Sequence, residues 1–164
     1  MILRMILIVL ALGISHAQAK SGFYGKVTHV TDGDTLWVQP DAGGTPRKLR
    51  IDGIDAPEIC QVGGESSRDV LSRHVLHQRV QVTVRRKDAY GRGLARIQLD
   101  SADLGARMVL EGQAWSYRWR RDPGPYASEE TAARQSRRGL FAKAQPEVPR
   151  DFRKRHGSCV SEKP

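Results

Sequence analysis

Four short segments of this chain carry residue types suited to handling a phosphate ester: Asp32-Gly33-Asp34-Thr35, Arg50, Asp55-Ala56-Pro57-Glu58 and Tyr90-Gly91-Arg92-Gly93. Their carboxylates offer hard oxygen ligands, which select cations such as Ca²⁺ or Mg²⁺. Arginine forks match phosphate oxygens and stay charged at any working pH. A cation, two guanidiniums and an acid able to take a proton are the components of phosphodiester cleavage. Taken singly, each segment is weak. D-G-D-T is ordinary turn chemistry, and it is not an EF-hand: counted from Asp32, the fifth position is Leu36 and the twelfth is Gly43. Arg50 is more telling. It lies between Leu49 and Ile51 in a predicted strand, with Asp52 as the next side chain on its own face. Asp52 either pairs with Arg50 or biases a metal site.

Each segment falls where a strand gives way to a turn. Phe23 to Val30 reads as a strand, Asp32-Gly33 as a turn, and Leu36 with Val38 as a second strand. Pro40 to Pro46 is a loop, and Leu49, Ile51 and Ile54 mark a third strand ended by Ala56-Pro57. Val70, Leu71, His74 and Val75 then share one face of a helix. Val80, Val82 and Val84 alternate with polar residues, the pattern of a half-buried strand, and Ala95, Ile97 and Leu99 line a fifth. Leu104, Met108 and Val109 predict a second helix stopped near Gly112. A third is expected from an N-cap at Ser128 to Gly139. The fold class is therefore α+β: a five-stranded Greek-key β-barrel of the OB type with about three helices.

The chain has 164 residues, enough for one compact domain. Its formal charge of +9 suits a polyanionic partner, nucleic acid foremost. Residues 1–19 read as a signal peptide: Arg4, an apolar run from Met5 to Ile14, then Ala17-Gln18-Ala19 as a cleavage site. The apolar run is too short to span a bilayer, which needs about 20 residues, so no membrane insertion of the mature chain is expected. Residues 20–142 form the expected domain, and residues 143–164 a basic tail that wraps the surface or is partly disordered unless Cys159 pins it. The protein is expected to be exported, periplasmic or extracellular, and monomeric. Cys60 and Cys159 are the only cysteines. In an oxidising compartment they are expected to form a bridge, worth ~4–5 kcal/mol in a chain-entropy account. His74 and His77 lie three apart on a helix but lack a third ligand. The cluster Arg118, Arg120, Arg121, Arg137 and Arg138 is either a nucleic-acid track or a solvated basic surface.

The combination is more specific than its parts. D-G-D-T, R-x-x-x-x-D-A-P-E, Y-G-R-G-L-A and A-R-x-x-x-x-G-L-F occur in that order between Phe23 and Phe141, and the chain resembles the staphylococcal nuclease-like (thermonuclease) family. The resemblance implies Ca²⁺-dependent hydrolysis of DNA and RNA with low sequence specificity, on an OB barrel with three helices. It implies one Ca²⁺ held by Asp34, Asp55 and the backbone carbonyl of Ala56. Glu58 would act as general base, and Arg50 and Arg92 would bind phosphate. Tyr90 would lie near the nucleotide. Tyr117 and Trp119 either stack on a base or pack on the barrel. Two departures stand out: Ala89 replaces a common lysine, and Asp52 replaces a common apolar residue. The competing expectation is an OB-fold nucleic-acid-binding module without catalysis.

Overall fold

The computed structural model describes residues 22–157 and 159, so the expected signal peptide lies outside the described residues. The elements run β1 (Gly22–Val30), β2 (Thr35–Pro40), β3 (Arg47–Ile51), β4 (Ile54–Asp55), α1 (Gly64–Val75), β5 (Arg79–Lys87) and β6 (Gly93–Leu99). They continue with β7 (Ala102–Asp103), α2 (Leu104–Leu110), β8 (Trp115–Ser116), α3 (Ala127–Gln135), a 3-10 turn at Gly139–Ala142, and α4 (Pro149–His156). Strands β3, β2, β1, β5 and β6 pair antiparallel in that order. Parallel pairing of β3 with β6 closes them into a five-stranded barrel.

Period-two alternation explains the barrel interior. Val27, Val38, Leu49, Ile51, Val80, Val82, Ala95 and Ile97 are all at most 2 % exposed, while their chain neighbours mostly face outward. Helix α1 covers the barrel with Val70, Leu71 and Val75, and α2 does so with Leu104, Met108 and Val109. His74, on the edge of the α1 apolar face, bonds Glu111 at 2.8 Å. Among the described residues no helix is long and apolar enough to cross a membrane.

The third strand differs from the sequence expectation. Gly53 takes φ of 87°, a left-handed conformation that side chains disfavour. The chain turns there, so β3 stops at Ile51. Ile54 and Asp55 leave the barrel and pair with Ser116 and Trp115 of β8. Helix α3 also starts differently. Its N-cap is Tyr126, whose N–H donates to Ser116 Oγ and whose hydroxyl donates to Asp103, and these bonds fix the start of the helix. Ser128 lies inside the first turn and donates to Glu129. The helix ends at Gln135, and Gly139 opens the 3-10 turn.

The tail holds a fourth helix. Pro149 stands at the first turn of α4, where its missing N–H costs nothing, and Arg153, Lys154, Arg155 and His156 crowd the negative end of the helix dipole. Val148 packs against a second small core of Trp115, Ala133 and Phe141, in which the Trp115 and Phe141 rings meet edge-on at 5.7 Å. The Cys60–Cys159 disulfide, with Cα atoms 5.9 Å apart, holds the other end.

Beneath this layer Glu130 is 1 % exposed. It accepts from the Ser116 N–H at 3.0 Å and pairs with Arg118 at 2.7 Å and Arg134 at 2.8 Å. Glu130→Ala should lower the unfolding free energy by ~2–4 kcal/mol, because a buried amide and two guanidiniums lose their shared acceptor. Urea denaturation measures this; a loss under ~0.5 kcal/mol, the scale of an exposed pair, contradicts it.

Candidate active site

Barrel register places Arg50 at a junction. In β3 it stands opposite Thr35 of β2 on one side and Leu94 of β6 on the other. Both neighbouring turns, Asp32–Thr35 and Tyr90–Gly93, therefore border it. Since Leu49 and Ile51 point inward, Arg50 projects out of the barrel. Its Nη2 lies 2.8 Å from Asp34 Oδ2 and 2.8 Å from Asp55 Oδ1.

Each partner is fixed by its own local chemistry. Asp34 is 2 % exposed and accepts from the Thr35 hydroxyl at 2.9 Å and the Ala56 N–H at 3.2 Å. The turn needs Gly33, since a Cβ there would collide with Ser67 Oγ and Ala56 Cβ. Asp55 is carried to the same point by β4 and β8. Glu58 sits in the loop before α1, where its N–H donates to Gln61 Oε1 at 3.2 Å and its carbonyl accepts from the Gln61 N–H at 2.8 Å. Arg92 is held by Asp88, which accepts from the Tyr90 N–H at 2.9 Å, the Arg92 N–H at 2.9 Å and Arg92 Nε at 2.7 Å.

One cleft is thus lined by Asp34, Arg50, Ala56, Glu58, Tyr90 and Arg92. Asp55 backs it through Arg50. Tyr90 is 81 % exposed at the rim, with the Arg92 guanidinium 5.4 Å from its ring centre. Tyr117 and Trp119 border an adjoining hollow that Asp55 also lines. They are exposed, whereas Trp115 of the same run is buried in the second core. Asp52 joins neither Arg50 nor the carboxylates. A bulge in β5 lets consecutive Arg85 and Arg86 both reach it, at 3.3 and 3.4 Å.

Two residues outside the expected set act on the side chains of the cleft. Asp88 orients Arg92, and the Asp-x-x-Gly turn spacing from Asp88 to Gly91 was the available signal. Arg153 of α4 gave no sequence signal. Its Nη1 and Nη2 grip Asp55 Oδ1 and Oδ2, each at 3.1 Å, and Nη1 also meets Glu58 Oε1 at 2.9 Å.

The electrostatics are those of crowded negative charge. Burial, reinforced by the charge of Asp34, pushes the Asp32 carboxyl up to about 7. Burial also raises Asp55, outweighing its bonds to Arg153 and Arg50. For Arg50, burial alone would favour the neutral form, but Asp34 and Asp55 more than reverse this and raise its pKa. Among the described residues no three His, Cys, Asp or Glu side chains stand as a ready metal cage. The carboxylates are instead bridged by guanidiniums. Asp34, Asp55 and Glu58 nonetheless present only hard oxygens, and a side-chain cation already lies against two of them. That donor set fits Ca²⁺ or Mg²⁺, completed by backbone oxygen and water.

Asp88 supplies a pH test. Although burial raises it, the bonds from Arg92 and from the Tyr90 N–H lower its pKa below the ordinary carboxylate value. A carboxylate depressed in the folded state stabilises above its unfolded pKa, and that contribution vanishes as pH falls through the folded value. Asp88→Asn should therefore be less stable than wild type at pH 7, with the gap closing below about pH 4. Denaturation at several pH values checks this; a pH-independent gap contradicts it.

Comparison with known proteins shows the family of the chain. Residues 48–143 match the family described as staphylococcal nuclease homologue. A micrococcal nuclease of Shigella flexneri is 32% identical over 152 residues, covering 86% of this chain and 86% of the relative. An uncharacterized endonuclease of Escherichia coli O157:H7 is 36% identical over 135 residues, covering 80% and 86%. A Haemophilus influenzae counterpart, also described as an uncharacterized endonuclease, is 32% identical over 129 residues, covering 79% and 72%. With the barrel, the order of its motifs and these relatives in agreement, the chain belongs to the staphylococcal nuclease family.

Proposed function

We propose that the protein is an exported nuclease that hydrolyses phosphodiester bonds of DNA and RNA with little sequence preference, using one Ca²⁺. The observation that carries this reading is the convergence of Asp34 and Asp55 on Arg50, at 2.8 Å each, in a cleft shared with Glu58 and Arg92. Nuclease and endonuclease relatives support the reaction class. The disulfide supports an oxidising, exported setting.

Asp34, Asp55 and the Ala56 carbonyl would hold the cation. When bound, it supplies positive charge to a phosphate oxygen and to the attacking water. Arg50 and Arg92 carry the remainder of the phosphate's charge, which grows as phosphorus becomes pentacoordinate. Both are pre-aimed, Arg50 by two carboxylates and Arg92 by Asp88, so little reorganisation accompanies the reaction. Glu58, as a carboxylate, orients the water and accepts its proton. Tyr90 meets the nucleotide at the rim. Tyr117 and Trp119 offer exposed rings on which bases stack without sequence preference. The net charge of +9 draws the polyanion in.

Digestion of single-stranded DNA and of RNA tests the proposal. Activity should require Ca²⁺ and stop in EDTA. Glu58→Gln and Arg92→Ala should each lose ~10²–10³ in kcat, by comparison with deletion of a single transition-state donor. Protein that binds DNA tightly in Ca²⁺ yet leaves it intact would instead be a binding module.

A further inference from the structure

Arg153 has no part in the catalytic set, yet it bonds two of the acids of the site, Asp55 and Glu58. Its fork spans both oxygens of Asp55, and one nitrogen reaches Glu58. Asp55 therefore meets two guanidiniums at once, Arg50 from the barrel and Arg153 from the tail. Three carboxylates, Asp34, Asp55 and Glu58, face two fixed positive charges. A divalent ion entering beside Arg153 meets a like charge at contact distance and finds Asp55's outward lone pairs taken.

The tail is built to hold this arginine in place. Arg153 lies six residues beyond Glu147 and six before Cys159. Glu147's carbonyl accepts from Gln61 Nε2 at 2.7 Å, and Cys159 is bonded to Cys60. Both anchors, Cys60 and Gln61, belong to the loop that carries Glu58. Between them runs an eight-residue helix, too short to persist alone in water. Its position, and so the local concentration of the guanidinium, depends on those anchors.

We propose that Arg153 is a tethered internal cation that occupies the acidic site until a divalent ion displaces it, and that the Cys60–Cys159 bond sets how strongly it competes. This rests on the reading of Asp34 and Asp55 as cation ligands. The cation-competent state is the one with Arg153 withdrawn, and the apparent affinity is reduced by the fraction of molecules in that state. Arg153 also screens Asp55 from Glu58 when no ion is bound, so the acids stay in place without it.

Calorimetric titration with CaCl₂ tests this on the full mature chain. Arg153→Gln should bind Ca²⁺ about tenfold tighter than wild type, as expected where roughly nine molecules in ten hold the latch closed. The double variant Cys60→Ser/Cys159→Ser, which keeps the guanidinium on a looser tether, should gain part of that; a double variant equal to wild type overturns the role of the disulfide. Wild type reduced by dithiothreitol, which is itself oxidised as the bond becomes two thiols, should behave like the double variant. Arg150→Gln removes an exposed charge from the same helix and should stay within about twofold of wild type, because exposed charge is screened. Hydrogen exchange gives a readout independent of turnover: α4 amides of the wild type should exchange faster once Ca²⁺ is added. Equal affinity for wild type and Arg153→Gln, or no change in α4 exchange, overturns the latch alone. Absence of Ca²⁺ binding in every protein overturns the latch and the metal site together.

Discussion

A single guanidinium holds the site together. Arg50 bonds Asp34 from the β1–β2 turn and Asp55 from β4, two acids that would otherwise repel across a nearly dry gap. Ion pairs this buried rarely add net stability, because desolvation offsets the attraction. What this one supplies is placement. It joins two stretches of chain at a defined separation and holds their carboxylates together at the cleft. The arrangement depends on barrel closure, since only parallel pairing of β3 with β6 brings the Arg92 loop to the same side as the Asp34 turn.

Around that centre the molecule is layered. The barrel core fixes Arg50, Asp34 and the base of the Arg92 loop. Outside it, a smaller apolar cluster of Trp115, Ala133 and Phe141 fixes β8, and through it Asp55 and the exposed Tyr117 and Trp119. The tail is a third layer, seated by Val148, Gln61 and the disulfide. The outer layers have fewer buried apolar contacts than the barrel, so motion at the site belongs to them before it belongs to Arg50.

Much of this was legible in the residues. The strands around Val27, Val38, Val80 to Val84 and Ala95 to Leu99 follow from alternation, because a closed barrel needs one apolar face per strand. Asp34, Arg50, Asp55, Glu58 and Arg92 were singled out from motif order; Asp34, Arg50, Glu58 and Arg92 line one cleft, with Asp55 bonded to Arg50 behind it. What was missed depended on long-range geometry. The break at Gly53 arises because β8, sixty residues on, competes for Ile54 and Asp55. Helix α3 is capped at Tyr126 because Ser116 and Asp103 anchor that residue, while Ser128 is only locally a good cap. Asp52, expected either to pair with Arg50 or to bias a metal site, instead meets Arg85 and Arg86 across the bulge in β5. Arg153 was invisible, since one arginine in a basic tail has no pattern; only a bridge of 99 residues' separation places it.

Asp34 and Asp55, set by Arg50, are the proposed seat for a divalent cation. Anomalous diffraction from crystals soaked in Ca²⁺ tests it most directly. One peak is expected about 2.3–2.6 Å from oxygens of both carboxylates, with Arg153 moved off Asp55. No peak at saturating Ca²⁺, or a peak elsewhere with Arg153 still gripping Asp55, contradicts it.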